Sequence, residues 1–195
     1  MKRLFDIISS IVVVLLGFPF FITIAVVILI DGKGGVFYKQ ERIGRNKKPF
    51  YLLKFRTMRP GSENLGQLTI GNKDNRITTI GYYLRKYKLD EFPQLINVIL
   101  GDMSIVGPRP EVVKYVNLYT EEQLNVLKVR PGLTDYASII YFKENELLGN
   151  AEDPEKVYIQ EIMPQKLALN TKYIREKGML TDLKIIFKTF LKIVS

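Results

Sequence analysis

Apolar and polar positions follow three different patterns along the chain. From Ile7 to Ile30 there is no charged side chain, a run long enough for a helix to cross a bilayer. Beyond Asp31 the apolar runs become short, as in a folded domain, and Phe50–Phe55 has the composition of a strand. From Leu180 to Val194 a lysine recurs at every fourth position among apolar residues. That spacing is typical of a basic amphipathic helix in a membrane interface, although a helix docked on a protein core has the same pattern.

These patterns predict a mostly helical α/β or α+β protein with a small sheet. We expect two parts: residues 1–31 as a membrane-anchoring helix, and residues 32–195 as a domain that includes the interfacial C-terminal helix 180–194. Residues 60–80 are rich in Gly, Ser, Asn and Asp and predict a loop. Gly, Pro and polar signals divide the domain into helices, which we expect at 80–88, 90–100, 111–129 and 153–175 (broken near Pro164).

Both flanks of the apolar run are basic. Lys2 and Arg3 precede it, and six Lys or Arg residues lie between positions 33 and 48. Positive charge marks cytoplasmic flanks, so both ends are expected on the same side of the membrane. A helix broken at Pro19, in the middle of the run, could enter and leave by one face. The charges therefore favour a re-entrant helix over a kinked spanning one. A cleaved signal peptide is disfavoured because its apolar region would be shorter.

Composition narrows the chemistry. The 195 residues include 29 Lys and Arg against 20 Asp and Glu, a net charge of +9, and no Cys, His or Trp. Thiol nucleophiles, Ser-His-Asp triads and His- or Cys-ligated zinc are excluded. Any metal is expected to be a hard, oxygen-bound ion such as Mg²⁺. Basic charge also suits nucleic acid, but no nucleic-acid motif accompanies it, so we expect no nucleic-acid partner.

Two adjacent carboxylates, Asp90 and Glu91, form the first candidate site. If Asp90 is the N-cap of the helix at 90–100, both lie where the helix dipole favours negative charge and free N–H groups can hold a phosphate. An ionised carboxylate there could act as a nucleophile or as an Mg²⁺ ligand. Taken alone, the pair is also compatible with a simple cap and a first-turn acid.

Basic residues elsewhere in the sequence favour a functional interpretation of this carboxylate pair. Arg85 precedes Asp90 by five residues, Lys54 and Arg56 flank Phe55, and Arg109 lies between two prolines. An arginine between residues of fixed φ is suited to bidentate phosphate recognition. Each of these cations could equally be a solvated surface charge.

Several sequence blocks resemble the bacterial sugar transferases, small monotopic phosphoglycosyl transferases that begin glycan assembly on a polyprenyl phosphate. The resemblance covers nearly the whole chain and is most specific between Leu89 and Pro110. Its blocks are Lys2-Arg3-x-x-Asp6, Lys54-x-Arg56-Thr57-Met58, Asp74-x-Arg76-x-Thr78-x-x-Gly81-x-x-Leu84-Arg85, Leu89-Asp90-Glu91-x-Pro93-Gln94-Leu95-x-Asn97-Val98, Gly101-Asp102-Met103-Ser104 and Val106-Gly107-Pro108-Arg109-Pro110.

The resemblance implies a reaction. A UDP-sugar would give its sugar-1-phosphate to undecaprenyl phosphate or a similar polyprenyl phosphate and release UMP. This would be the first membrane step of capsule, exopolysaccharide, O-antigen or glycoprotein glycan synthesis. Asp90 would attack the sugar-bearing phosphorus and form a covalent phosphosugar-aspartate, and Glu91 would assist. Direct attack by the lipid phosphate, with Asp90 only holding Mg²⁺, remains an alternative.

The resemblance also implies partners and site residues. Mg²⁺ would be the cofactor, with Asp90 as its ligand, and the protein would be monotopic on the cytoplasmic face of the bacterial inner membrane, in contact with membrane lipid. A homodimer is left open. The residues expected to bind phosphate or nucleotide are Lys54, Arg56, Thr57, Arg85, Pro108 and Arg109. Those expected to anchor or kink the membrane helix are Lys2, Arg3, Asp6 and Pro19.

Two departures from the family pattern stand out. Phe18-Pro19 replaces the usual Ser-Pro at the kink, and 133–138 reads Leu-Thr-Asp-Tyr-Ala-Ser instead of Ile-Thr-Gly-Trp-Ala-Gln. If the second segment borders the sugar, we expect an amino- or deoxy-sugar. The non-enzymatic alternative, a basic membrane module that binds lipid or recruits partners, explains the charge but not the dense block from Leu89 to Pro110.

Overall fold

The computed structural model describes residues 1–62 and 74–194. The expected fold class is confirmed, because the chain is mostly helical with small sheets. The helices are α1 (Lys2–Asp31), α2 (Thr79–Lys86), α3 (Gln94–Leu100), α4 (Val113–Val116), α5 (Tyr136–Ile140), α6 (Glu144–Gly149), α7 (Pro154–Val157), α8 (Met163–Glu176) and α9 (Met179–Val194). The strands are β1 (Phe37–Ile43), β2 (Pro49–Phe55), β3 (Ser104–Val106) and β4 (Gly132–Thr134).

The apolar run forms α1, a helix of 30 residues and about 45 Å in length. It is the one helix in the described part of the chain that is long and apolar enough to cross a membrane. The helix continues through Pro19, and the Thr23 hydroxyl donates to the Pro19 carbonyl at 3.0 Å. A proline inside a helix removes one hydrogen bond, but Thr side chains can re-satisfy the backbone around it. The break expected at Pro19 is therefore absent from α1, which continues through this residue as one helix.

The N-terminal turns of α1 are bound to the domain. The Arg3 guanidinium donates to the carbonyls of Val98 at 2.7 Å and Ile99 at 3.1 Å, at the C-terminal end of α3. Arginine is favoured at this position because the last carbonyls of a helix lack internal partners. Lys2 pairs with Asp182 of α9 at 2.5 Å.

The C-terminal turn of α1 is bound to the same domain. Arg56, which directly follows β2, donates to the carbonyls of Ile28 at 3.0 Å and Gly32 at 2.8 Å. Asp31 accepts from the backbone N–H of Ile80 in α2 at 3.0 Å. Between these attachments the middle of α1 exposes large apolar side chains, so the helix contacts the domain chiefly through its two ends.

An antiparallel hairpin of β1 and β2 carries the expected strand 50–55, extended by one residue to Pro49. The buried amide of Asn97 in α3 continues the pairing beyond β2, because it accepts from Leu53 N at 3.0 Å and donates to Tyr51 O at 2.9 Å. This amide fixes β2 against α3 and so fixes Lys54 beside the turn that precedes α3.

The parallel pair β3 and β4 was not predicted. Each strand has three residues, and the two backbones approach so closely that a Cβ on Gly132 would lie 2.1 Å from Gly107 N. Gly132 N donates to Pro108 O at 2.9 Å and Gly107 N donates to Thr134 O at 3.0 Å. Glycine is required here because any side chain would separate the strands.

The predicted helix 111–129 needs correction. The expected helix 111–129 is divided into α4 and a 3₁₀ helix over Gln123–Lys128. The reason is a capping box: Thr120 N donates to Gln123 Oε1 at 2.9 Å, and Gln123 N donates to Thr120 Oγ1 at 3.3 Å, so a new helix starts there.

The other helices agree better with the sequence patterns. The expected break near Pro164 is a π-helical turn over Tyr158–Ile162 between α7 and α8. The helices expected at 80–88 and 180–194 are confirmed as α2 and α9 within two residues at each end. Of the predicted loop 60–80, residues 63–73 lie outside the described residues.

Candidate active site

The carboxylate pair lies on a tight elbow between α2 and α3. Lys88 adopts a left-handed conformation with φ 56°, which turns the chain into a short 3₁₀ segment over Leu89–Glu91. Pro93 follows and precedes the first residue of α3. Asp90 is therefore not the N-cap of α3, as the sequence suggested. It lies one turn earlier, because the left-handed residue and Pro93 separate the carboxylates from the helix proper.

Asp90 and Glu91 are neighbours with different surroundings. The Glu91 carboxylate accepts both Nη groups of Arg109, one at 3.1 Å and one in a shorter bond, and Lys54 Nζ lies 3.4 Å from its Oε1. Asp90 is only 6 % exposed. Across residues 1–62 and 74–194, no group donates a hydrogen bond to its carboxylate. The elbow thus offers one neutralised carboxylate and one without a donor.

Burial and neighbouring charges shift the pKa values of this cluster. Burial raises the pKa of Asp90, and the charge of Glu91 adds to this, while Lys54 and Arg85 oppose it. Burial alone would also raise the pKa of Glu91, but the charges of Arg109 and Lys54 hold it well below its usual range. Burial lowers the pKa of Lys54, against the opposing charges of Glu91 and Asp90.

Arg109 reaches Glu91 from the Pro-Arg-Pro bend, which two neighbouring segments hold in place. Gly132 N donates to Pro108 O at 2.9 Å on one side. On the other, Asp135 Oδ2 accepts from Arg109 N at 3.3 Å, and its Oδ1 caps α5 by accepting from Ser138 N at 2.6 Å. One carboxylate therefore couples the backbone of Arg109 to the start of α5.

The structure brings most of the expected phosphate-binding residues together. Lys54, Arg85 and Arg109 line one cleft with Asp90 and Glu91. Thr57 also lines the cleft, where its carbonyl accepts from Thr78 N at 3.0 Å. The Pro108 carbonyl bonds Gly132 N, and Pro108 shapes the bend behind Arg109.

Arg56 differs from expectation. Its residue lines the cleft, but its two Nη groups donate to the last carbonyls of α1 and the residues that follow, including Gly32 and Lys33. The Arg56 residue is 9 % exposed. In this structure Arg56 caps α1 rather than facing the Asp90–Glu91 elbow.

The cleft has a volume of about 1320 Å³ and extends beyond the phosphate-binding residues. Its walls include parts of α1, β1, α5, α8 and α9. Sequence analysis missed several polar side chains along these walls, which are Arg42, Glu111, Glu144, Tyr158, Lys166 and Asn170. No local motif marks them, because they are brought together only by the packing of separate helices and the hairpin.

One polar network in the cleft has its donors bonded to acceptors within the protein. Arg42 donates to Glu111 Oε1 at 2.9 Å and to Gln40 Oε1 at 2.8 Å. The Tyr158 hydroxyl donates to the other Glu111 oxygen, and burial raises the Tyr158 pKa. The Arg42 and Tyr158 donors are thus satisfied within the protein.

The donor set is compatible with Mg²⁺ held partly by a substrate. The described residues contain no group of three or more Asp, Glu, His or Cys side chains that could enclose a metal ion. Mg²⁺ commonly uses only one or two carboxylates, with phosphate oxygens and water completing its shell. Asp90, an oxygen ligand with no hydrogen-bond donor in the described part of the chain, fits such a site; Glu91 is occupied by Arg109 and Lys54.

The chain belongs to the bacterial sugar transferase family, whose model matches residues 1–195. It is 36% identical to the exopolysaccharide production protein ExoY of Rhizobium meliloti (strain 1021), over 96% of this chain and 83% of that protein.

Two other relatives are named for the reaction they catalyse. The chain is 35% identical to the UDP-glucose:undecaprenyl-phosphate glucose-1-phosphate transferase of Escherichia coli (strain K12), over 98% of this chain and 40% of the relative. It is 32% identical to the UDP-N-acetylgalactosamine-undecaprenyl-phosphate N-acetylgalactosaminephosphotransferase of Aeromonas hydrophila, over 100% of this chain and 44% of the relative. The chain thus spans less than half the length of these two proteins.

Proposed function

We propose that this protein is a phosphoglycosyl transferase that moves a sugar-1-phosphate from a UDP-sugar to a membrane polyprenyl phosphate, such as undecaprenyl phosphate, and releases UMP. The reaction would begin assembly of an exopolysaccharide, capsule or related glycan. Family membership and the substrates in the names of the relatives support the reaction class.

One observation carries the proposal for this chain. A nearly buried carboxylate without a hydrogen-bond donor in the described structure, Asp90, adjoins a carboxylate neutralised by Arg109 and Lys54. A nucleophilic carboxylate needs free lone pairs, and phosphoryl transfer needs nearby cations to balance charge on the phosphate oxygens. The cleft supplies both within one elbow.

The proposed chemistry has two displacements at the same phosphorus. An Asp90 oxygen attacks the sugar-bearing phosphorus, its P–O bond to the UMP oxygen breaks, and UMP leaves with the bonding electron pair. A phosphate oxygen of the lipid then attacks that phosphorus and displaces the Asp90 carboxylate. The product is a polyprenyl diphosphate sugar, and Asp90 is restored without net proton transfer to it.

Glu91 has a different role in this mechanism. Its carboxylate holds Arg109 and Lys54 beside Asp90, so these cations are fixed where phosphate charge would arrive. Preorganised charges are more effective than mobile ones because they need no rearrangement during reaction. Mg²⁺ bound by Asp90 would further neutralise the diphosphate of the donor.

The membrane arrangement is also part of the proposal. Residues 1–31 would anchor the protein and residues 32–195 would form the catalytic domain on the cytoplasmic face. Support comes from α1, whose first turn bonds α3 and α9 and whose last turn bonds Arg56 and α2 of the same domain. A domain on one side of the bilayer can contact both ends if α1 bends at Pro19 and stays on that side, whereas a helix that spans the membrane would carry one end away from the domain.

The reaction is tested by mass spectrometry of the intact protein. Protein, Mg²⁺ and a panel of UDP-sugars are incubated without lipid acceptor, and we expect one phosphosugar on Asp90 together with one UMP. Adding undecaprenyl phosphate should remove the adduct. Lipid-dependent UMP release without any adduct would favour direct transfer. No UMP release from any donor by folded, membrane-bound protein would favour the lipid-binding module.

The topology can be tested with single cysteines, since the chain has none. One cysteine is placed in a short N-terminal tag and another by Lys33→Cys, and membrane vesicles of known orientation are treated with an impermeant maleimide. Labelling of both from the cytoplasmic side is expected. Labelling from opposite sides would show that α1 spans the membrane.

A further inference from the structure

Two buried polar atoms without partners among the described residues lie on one wall of the cleft. Ser138 Oγ in α5 and Asn170 Oδ1 in α8 are both buried, and within the described residues neither has a hydrogen-bond partner. Both side chains line the cleft. Buried polar groups in folded proteins are nearly always paired, so two unpaired groups on one cavity wall indicate a polar ligand that completes them.

The position of this wall relative to the phosphate-binding residues limits what the ligand can be. Asp135 bonds Arg109 N through one oxygen and Ser138 N through the other, at 3.3 Å and 2.6 Å. Ser138 is therefore one bridging carboxylate away from the arginine that holds Glu91. A group bonded directly to a phosphate at Arg109 and Asp90 would share the cleft with this wall, because Ser138 and Asn170 line the same cleft.

Another group of cleft-lining residues provides the contrast. Arg42 and Tyr158 both donate to Glu111, so these donors are already satisfied within the protein. The α5–α8 wall instead has a hydroxyl and an amide, side chains that match the hydroxyl and amide groups of a sugar. The π-helical turn at Tyr158–Ile162 sets the rotation of α8, whose cleft-facing side includes Lys166, Leu167 and Asn170.

We propose that Ser138 and Asn170 form the sugar-selective subsite of the cleft and hydrogen-bond the hydroxyl or acetamido groups of the donor sugar. This inference rests on the proposed use of a UDP-sugar and deepens it, because it names side chains that distinguish one sugar from another. Ser138 lies in the 133–138 segment that departs from the family pattern, whereas Asn170 belongs to no motif.

The test compares binding of UDP with binding of UDP-sugars by calorimetry without Mg²⁺, so that the donor is bound and not consumed. The panel is UDP-glucose, UDP-galactose, UDP-N-acetylglucosamine and UDP-N-acetylgalactosamine, and the variants are Ser138→Ala and Asn170→Leu. We expect each variant to weaken binding of the preferred UDP-sugar about tenfold, the worth of one good hydrogen bond, and to leave the Kd for UDP within about twofold. Thermal stability without ligand should stay level or rise, because an unpaired buried polar atom is removed.

Ser10→Ala is the matched control. Ser10 Oγ is also buried and unpartnered in the described structure, but it lies on α1 and not in the cleft wall. This change should not alter the preference among donors.

Three results would overturn the inference. Equal weakening of UDP and UDP-sugars would place the nucleoside at the α5–α8 wall. A lower melting temperature with unchanged donor preference would make the pair structural. Unmodified protein that binds UDP and every UDP-sugar equally would have no sugar-selective subsite. Sugar-selective binding that depends on the pair, without any transfer to lipid phosphate, would leave this inference intact and refute the proposed function.

Discussion

Two clusters of buried charge in this protein have similar components and different surroundings. The cleft cluster is Glu91 with Lys54 and Arg109; the junction cluster is Asp182 of α9 with Lys2 and Tyr173. The central carboxylate is 13% exposed in the first and 3% in the second. In each, a lysine and a second donor satisfy the acid.

The difference lies in the neighbouring carboxylate. Beside the cleft cluster is Asp90, to which no described residue donates. Beside the junction cluster is Asp6, whose Oδ2 accepts from Ser104 at 2.7 Å and which lies at the packed contact of α1 with the domain. Burial and ion pairing occur at both places, so neither identifies a catalytic site. The distinguishing feature is a carboxylate that faces a cleft and accepts no hydrogen bond from the described residues.

The largest effect is expected for Asp90→Asn. The amide keeps the shape of the side chain but cannot attack phosphorus as a carboxylate does, so the rate of UMP release should fall at least about 10³-fold. The melting temperature should change little. Asp153→Asn is the control, since Asp153 is exposed and caps α7, and asparagine caps equally well. Substantial transfer by the folded Asp90→Asn variant would show that Asp90 is not the nucleophile.

Glu91→Gln should have the next largest effect. It leaves Arg109 and Lys54 without their counter-charge, so we expect a fall in transfer of about 10- to 100-fold and a loss of about 1–3 kcal/mol in the free energy of unfolding. UMP release and thermal melts measure the two effects. Glu155→Gln provides the matched exposed control. A loss of transfer greater than that of Asp90→Asn would reverse the roles assigned to the two acids.

Asp182→Asn separates the junction cluster from the cleft. The variant loses the charge that pairs with Lys2, while the amide can still accept from Tyr173, so stability should fall by about 1–2 kcal/mol. For a chain of this size, the melting temperature should drop by a few degrees. Transfer by the folded fraction should stay within about twofold. A collapse of transfer well below the melting temperature would show that the junction cluster acts on the cleft.

The smallest effect is expected for an exposed ion pair, Lys143 with Glu146, whose side chains are 70% and 45% exposed. Lys143→Ala should change the free energy of unfolding by no more than about 0.5 kcal/mol, because solvent screens such pairs. Donor binding and transfer should be unaffected. A clear loss of either would mean that exposed charge contributes more here than the comparison of the two buried clusters assumes.

The elements with strong periodicity were predictable. The uncharged run gives α1, the four-residue lysine spacing gives α9, and Gly101 ends α3 with φ 104° as a helix-terminating glycine does. What could not be predicted depends on contacts between distant segments. Strands β3 and β4 have only three residues each, too few to show a pattern, and they exist because Gly107 and Gly132 allow their backbones to approach.

The candidate site also has a part that could be predicted from the sequence and a part that could not. The Asp90–Glu91 pair and Arg109 were predicted as site residues because they lie in compact sequence blocks, and the structure brings them together in one cleft. The elbow geometry was missed, because nothing in the sequence marks Lys88 as a left-handed residue. The role of Arg56 was also missed: a sequence motif shows that an arginine is present, but only the fold shows that its donors meet the end of α1.

The bond from Arg3 to the end of α3 has a consequence for any attempt to separate the domain from α1. Arg3 lies in the first turn of α1, and the helix whose carbonyls it caps starts three residues after Glu91. A truncated protein without α1 would lose this cap, and a chimera with a foreign membrane helix would be returned to the bilayer without regaining it. If α1 is the membrane anchor, solubility and activity are therefore not independent engineering targets, because the first turn of α1 is a structural component of the domain.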